Sequence, residues 1–221
     1  MTPEEELRAL ARDTRALLLG APAGSGRAEP VEARTGKEAA LEPVRLQALS
    51  CTLCRLCKGR HSVVFGEGSL DAPIVFVGEG PGRDEDLQGR PFVGAAGQLL
   101  TRMIEAMKFK REQLYIANVV KCRPPQNRPP EPDEIAACHP YLVAQLTTIR
   151  PRVIVALGRT AAAALLKTTA SMSALRGREF DWNGIPLIVT FHPAYLLRNP
   201  AAKKEVWEDL KRVLALLKPP A

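Results

Sequence analysis

Four features of this 221-residue chain carry chemistry beyond packing: a spaced set of thiols, a glycine-rich acidic turn, an asparagine, and a histidine followed by proline. Cys51 and Cys54 form C-x2-C, 67 residues intervene, Cys122 and Cys138 form C-x15-C, and Cys57 adds a second, overlapping C-x2-C. A C-x2-C pair can hold two corners of a tetrahedral metal or of an iron-sulfur cluster, and two distant thiolates complete it. With no histidine at the matched positions, the spacing allows zinc and 4Fe-4S alike. Packing as a small hydrophobe explains Cys138, which lies in a helical pattern, better than it explains Cys51 or Cys54. The GEGPG string at residues 78–82 lets backbone N–H groups approach a ligand closely, with the carboxylates of Glu79, Glu85 and Asp86 nearby. Asn118 offers one acceptor and one donor side by side. His192 can donate to a developing negative charge, although a lone histidine at a strand end is more often structural.

These residues need elements to place them. Apolar runs rich in β-branched residues recur at Ile74–Val77, Tyr115–Val120, Val153–Leu157 and Leu187–Phe191, each reading as a buried strand. Helical patterns lie between and after them: Ala95–Met107, Pro132–Ile149, Thr160–Leu166 and Lys203–Leu217. The alternation predicts a three-layer α/β/α fold around a central four-stranded parallel sheet, which binds ligands outside the carboxyl ends of its strands. GEGPG, Asn118 with Lys121 and Cys122, Gly158 with Arg159, and His192 all fall on that edge. Upstream, residues 3–19 carry Leu7, Leu10, Leu17 and Leu18 at helical spacing and read as an accessory amphipathic helix able to bind another protein. Residues 20–40, dense in Gly, Pro and charge, read as a flexible linker, and residues 41–221 as the folded domain.

Composition narrows the setting. No window approaches the roughly 18 apolar residues of a membrane helix, and the acidic start MTPEEE is unlike a secretory signal, so a soluble cytoplasmic protein is expected. Five cysteines in a reducing compartment point to ligation rather than disulfides. Residues 1–50 hold 7 basic and 8 acidic side chains, so the +7 of the chain becomes +8 over residues 51–221. A basic folded region permits a polyanion partner.

The strings CTLC, GRHSVVFGEG, VFVGEGPGRDED, GRPFVGAAGQLL, YIANVVKCRPPQNRPPEPDEIAAC and FHPAYLLRNP, in this order from about Leu49 to Leu217, resemble the family 4 uracil-DNA glycosylases. The resemblance implies a 4Fe-4S cluster on Cys51, Cys54, Cys122 and Cys138, with Cys57 outside the ligand set. It is the resemblance, and not the spacing, that favours iron over zinc. It implies excision of uracil from single- and double-stranded DNA, leaving an abasic site without strand cleavage, in a cytoplasmic, nucleoid-associated monomer. His192 would donate to uracil O2 as charge develops there. Asn118 would accept from N3–H and donate to O4, a pattern that cytosine reverses. Phe92 would stack on the flipped base, and Gly78, Glu79 and Gly80 would line the pocket. Relatives with an aspartate directly before the proline of this turn use it on the attacking water; Gly80 stands there in this chain, so Glu85 is the first candidate for that task and Glu79 the second. Tyr195, Leu196 and Leu197 would form a wedge with Arg198 on phosphate, burial of Leu196 and Leu197 at the start of a helix being the equal alternative. Lys121, Arg123 and Arg128 form a stiff basic loop for which phosphate contact and solvated charge both fit. The alternatives are a noncatalytic DNA-binding module that keeps pocket and cluster, and an iron-sulfur electron carrier, which has no need of GEGPG or His192.

Overall fold

The structure is a computed structural model and describes residues 36–218. The helix expected over residues 3–19 lies outside the described residues, as does the linker as far as residue 35. Helix α1 spans Gly36–Leu49, so the last part of the segment read as linker is helical. Its buried side chains begin at Leu41. Arg45 pairs with Glu42 within it, and Lys37 reaches across to Asp71.

Six strands form one sheet: β1 (Glu67–Gly68), β2 (Ile74–Gly78), β3 (Tyr115–Asn118), β4 (Val153–Leu157), β5 (Glu179–Trp182) and β6 (Ile185–Thr190). Their order is β1-β3-β2-β4-β6-β5. The four inner strands are the four read from the apolar runs, and they pair in parallel as expected. Two antiparallel edges were not anticipated. β1 is only two residues long, and β5 carries a mixed, half-exposed pattern, so neither shows a continuous apolar run. The β5–β6 hairpin did have a signal: Asn183 and Gly184 both take positive φ (51° and 81°), the turn that Asn-Gly favours between two strands.

The remaining helices are α2 (Arg83–Gln88), α3 (Ala95–Ala106), α4 (Pro132–Ile149), α5 (Arg159–Leu166), α6 (Met172–Leu175), α7 (Pro193–Arg198) and α8 (Lys203–Leu216). Alternating strand residues feed two cores, as the pleat requires. Val75, Val77, Ala156 and Val189 pack with Leu142 and Leu146 of α4 and Ala161 and Leu165 of α5. Ile74, Phe76, Val155 and Ile188 pack with Leu100 and Ile104 of α3 and Val206 and Leu210 of α8. The sheet is thus covered on both faces, the α/β/α arrangement expected. β2 sits in the middle, with β3 on one side and β4 on the other, so the chain reverses its direction of travel across the sheet after β3. That reversal opens a crevice at the carboxyl ends, where ligands of such sheets bind. Among the described residues no helix is long and apolar enough to cross a membrane.

Candidate functional site

Register brings the pocket together. Gly78, the last residue of β2, lies opposite Asn118, the last of β3. The pairing runs on into the loops, because Val119 N–H donates to Gly78 O and Val120 N–H to Glu79 O. A side chain at Gly78 would collide with Asn118 Oδ1 and bring its Cβ within 2.5 Å of Phe92 Cζ, so the absent Cβ is what lets these two groups face one space. Asn118 is buried, and its Oδ1 is without a hydrogen-bond partner. Leaving such an acceptor unpaired costs about 1–3 kcal/mol, a penalty that a ligand N–H in this position removes.

Phe92 is buried, in a left-handed backbone conformation (φ 51°) that a bulky residue adopts only when held. Glu85 holds it. One carboxylate oxygen accepts from Val93 N–H and Gly94 N–H, both at 2.9 Å, and the other from Gly82 N–H at 3.1 Å. Both oxygens of Glu85, first of the candidate water-positioning carboxylates, are therefore committed to main-chain donors, and the residue shapes the Phe92 loop. Asp86, also buried, accepts from His61 N–H and Ser62 N–H and ties the GRHS segment to α2. Glu79 accepts from the Thr160 hydroxyl at the start of α5 and remains half-buried.

His192 follows β6 and caps α7. Its Nδ1 accepts from Ala194 N–H at 3.2 Å, which places the proton of the neutral ring on Nε2. The imidazole lies 5.6 Å from the Phe92 ring, centroid to centroid, tilted by 33°. Burial pulls its pKa down to about 4; the charge of Glu85 acts in the opposite direction, and Arg198 adds to the lowering. The ring is thus a neutral Nε2–H donor at physiological pH. Gly158 at the end of β4, with φ 89°, lets this turn pass close behind His192: a Cβ there would lie 3.1 Å from His192 Cβ.

The expected wedge divides. Tyr195 and Leu197 are exposed, as is Arg198 at the end of α7, whereas Leu196 is 1% exposed and packs in the core with Leu99 and Leu100. Leu196 is therefore an anchor of α7, because a helix seated on the domain must turn one side inward. Behind Tyr195 stands an aromatic stack that sequence reasoning missed. Its ring lies 4.6 Å from Phe191, and the Arg176 guanidinium sits 4.2 Å over Phe191, held in turn by Asp209.

The expected basic loop also divides. Lys121 is 1% exposed, since the continued pairing of residues 119–120 carries the chain inward, and its Nζ donates to Asn118 O (2.9 Å) and Gln145 Oε1 (2.5 Å). It cannot meet a phosphate. Arg123 remains partly exposed, with Nε on Asn127 Oδ1, and Arg128 is spent on the buried Glu134.

The thiols of Cys51, Cys54, Cys122 and Cys138 border one shared cavity with Cys57, Arg60 and Lys121. They come from the end of α1, the turn after it, the loop after β3, and α4. None of the five cysteines is in a disulfide. Arg60 Nη1 donates to Cys122 Sγ (3.3 Å) and Cys51 O (2.7 Å), and Lys121 N–H donates to Cys138 Sγ (3.2 Å). Burial pushes the Cys138 thiol up to about 11 and raises Cys54 and Cys122 as well, whereas a coordinated metal deprotonates a thiol outright. Among the described residues no three His, Cys, Asp or Glu side chains converge on a single metal-ion position. The donor set is soft, all sulfur, and spread around a cavity. Arg60 and Gln145 were not anticipated. Gln145 was legible as a polar residue on the stripe of α4 that carries Cys138, Tyr141, Leu142 and Leu146.

Comparison with known proteins gives this geometry its family. A model of the Uracil DNA glycosylase superfamily matches residues 65–211. The type-4 uracil-DNA glycosylase of Thermotoga maritima is 48% identical over 186 residues, which are 82% of this chain and 97% of the relative. Those of Saccharolobus solfataricus and Sulfurisphaera tokodaii are each 45% identical, over 78% and 80% of this chain and 84% of each relative. A type-5 uracil-DNA glycosylase, from Pyrobaculum aerophilum, is 30% identical over 60% of the chain. The matched span runs from the segment before β2 to the last helix and takes in every group at the carboxyl edge of the sheet; the chain belongs to the uracil-DNA glycosylase superfamily and, within it, to the type-4 uracil-DNA glycosylases.

Proposed function

We propose that the chain is a uracil-DNA glycosylase of base excision repair. It extrudes uracil from single- or double-stranded DNA and hydrolyses the N-glycosidic bond, leaving free uracil and an abasic site with the strands intact. The observation that carries this reading is the buried, unpartnered Oδ1 of Asn118, facing the same space as Phe92. An acceptor there takes uracil N3–H; cytosine offers no proton at N3 and is left with two facing acceptors, a mismatch that discriminates strongly. Phe92 stacks on the flipped base, and the Gly78–Gly80 backbone closes around its edge.

Bond cleavage divides charge between an oxocarbenium-like sugar and a uracil anion. His192 Nε2–H donates to O2 of the leaving base, and one such donor is worth about 3–4 kcal/mol in a desolvated site. The depressed pKa keeps it a neutral donor. Glu79, half-buried and anchored by Thr160, is the carboxylate that faces the sugar cation and its water, while Glu85 fixes the Phe92 loop. Tyr195 and Leu197 occupy the gap left in the stack, and Arg198 and Arg123 meet phosphates.

Cys51, Cys54, Cys122 and Cys138 hold a 4Fe-4S cluster, and Cys57 is an additional thiol. Four sulfurs around a cavity suit a polynuclear cluster better than a lone zinc, which draws its ligands to about 2.3 Å. When bound, the cluster supplies a covalent staple joining α1, the loop after β3, and α4. The protein acts as a monomer in the cytoplasm, on the nucleoid.

Release of uracil from a labelled oligonucleotide tests the reading. Uracil released with the strand left unbroken is the expected result. No release from purified, iron-containing protein would favour the noncatalytic DNA-binding module instead.

A further inference from the structure

Lys121 is wholly buried, yet the partners of its ammonium are neutral: the main-chain oxygen of Asn118 at 2.9 Å and Oε1 of Gln145 at 2.5 Å, with the Phe65 ring 5.8 Å away. Gln145 is fixed in that orientation because its Nε2 donates to Phe65 O (2.7 Å) and Tyr115 Oη (3.1 Å). An ammonium taken from water and given only neutral acceptors is strongly unfavourable unless an anion lies close by. The thiol cavity is the side on which such an anion would stand. Lys121 lines the thiol cavity, its main-chain N–H donates to Cys138 Sγ, and its neighbour in sequence is Cys122. On the other side, its Nζ grips the main chain of the residue whose unpaired Oδ1 faces the pocket.

We propose that Lys121 is a positioning residue that couples the two sites: its ammonium is the buried counter-charge of the cysteine-held centre, and the same group fixes the main chain at Asn118 for uracil recognition. This rests on the proposed reading of the cysteines as cluster ligands. It gives the cluster a consequence for the pocket, since the anion that makes a buried Lys121 tolerable also holds in place the ammonium that donates to Asn118 O. A cation beside an iron-sulfur cluster stabilises the reduced, more negative form, so its charge is readable as a reduction potential.

The test uses the full-length, iron-loaded protein and its Lys121→Met, Lys121→Arg and Gln145→Met variants. Iron content, the reduction potential of the cluster, melting temperature, and kcat/KM for uracil release from a single-stranded oligonucleotide are measured on each. Lys121→Met is expected to shift the potential to more negative values and lower kcat/KM roughly tenfold. Lys121→Arg is expected to restore the potential, and Gln145→Met to lower the melting temperature while leaving the potential in place. Loss of iron from Lys121→Met but not from an equally destabilised Gln145→Met supports the same assignment. A Lys121→Met protein that matches Gln145→Met in iron content and potential, or that keeps native kcat/KM, overturns it. Native protein that binds no iron overturns the cluster reading itself, which separates the two failures.

Discussion

The uracil pocket and the thiol cavity lie on either side of one short segment, residues 118–122, and they are built in opposite ways. In the pocket the working groups are already locked by main-chain donors: Glu85 by three, His192 by Ala194, Asn118 by its place in the β2–β3 register. Among the groups left open is the buried Asn118 Oδ1 acceptor. In the thiol cavity five sulfurs share few donors, burial disfavours the charged form of Cys54, Cys122 and Cys138, and no three metal-binding side chains among the described residues meet at a point. The pocket is pre-organised by the fold; the cysteine centre gains its order from what it binds. Changes in the first should cost chemistry and spare folding, and changes in the second should cost folding first.

His192→Ala is the sharpest way to break that contrast. It removes the donor to O2, and uracil release is expected to fall roughly 100- to 1000-fold with the melting temperature little changed, measured as single-turnover rates beside thermal unfolding. On the other side, Cys122→Ser is expected to lose iron and most of the thermal stability, because a structural metal centre contributes folding energy outright. Cys57→Ser is expected to keep both. Iron analysis and calorimetry on the pair decide whether Cys57 lies outside the ligand set.

The two adjacent leucines of α7 sharpen the comparison within one helix. Leu196→Ala is expected to cost about 2–5 kcal/mol of stability, as a core truncation does. Leu197→Ala is expected to leave stability unchanged and slow release from duplex roughly fivefold while sparing single strands. The smallest effect concerns pH. His192 titrates at about 4 in the folded chain against about 6.5 when unfolded, so it binds its proton more readily in the unfolded state. Its contribution to stability is complete above pH 6.5, is lost progressively as pH falls toward 4, and changes no further below that. The acid limb of the rate profile that belongs to His192 should likewise lie near pH 4, and an inflection near 6.5 that vanishes in His192→Gln would contradict the burial argument.

The four inner strands and helices α3, α4, α5 and α8 were legible because their apolar periods are uninterrupted, whereas α1, with only Leu41 and Ala48 buried, was not. The antiparallel edges were not, since β1 has two residues and β5 faces solvent on alternate positions. Placement of Asn118, His192 and the GEGPG turn followed from the rule that such sheets bind ligands at their carboxyl ends. Lys121 was misplaced, and Leu196 was left between wedge and core, for one reason: a string shows which residues are adjacent, and burial depends on where the chain turns after its strand. KCRPP looks like a basic loop until the pairing of Val119 and Val120 with the GEGPG turn carries Lys121 inward. The structural task of Glu85 was hidden in the same way, since its three amide partners lie up to nine residues away and become neighbours only in the fold.

The most direct test of the account is the rate of base release from otherwise identical single strands carrying uracil or cytosine at one position, measured for the native chain and for Asn118→Ala. If the buried Oδ1 reads N3–H, the native chain releases uracil and no detectable cytosine, and the gap narrows in the variant because uracil release falls. Release of both bases at comparable rates by the native chain, or a gap left intact in Asn118→Ala, would contradict it.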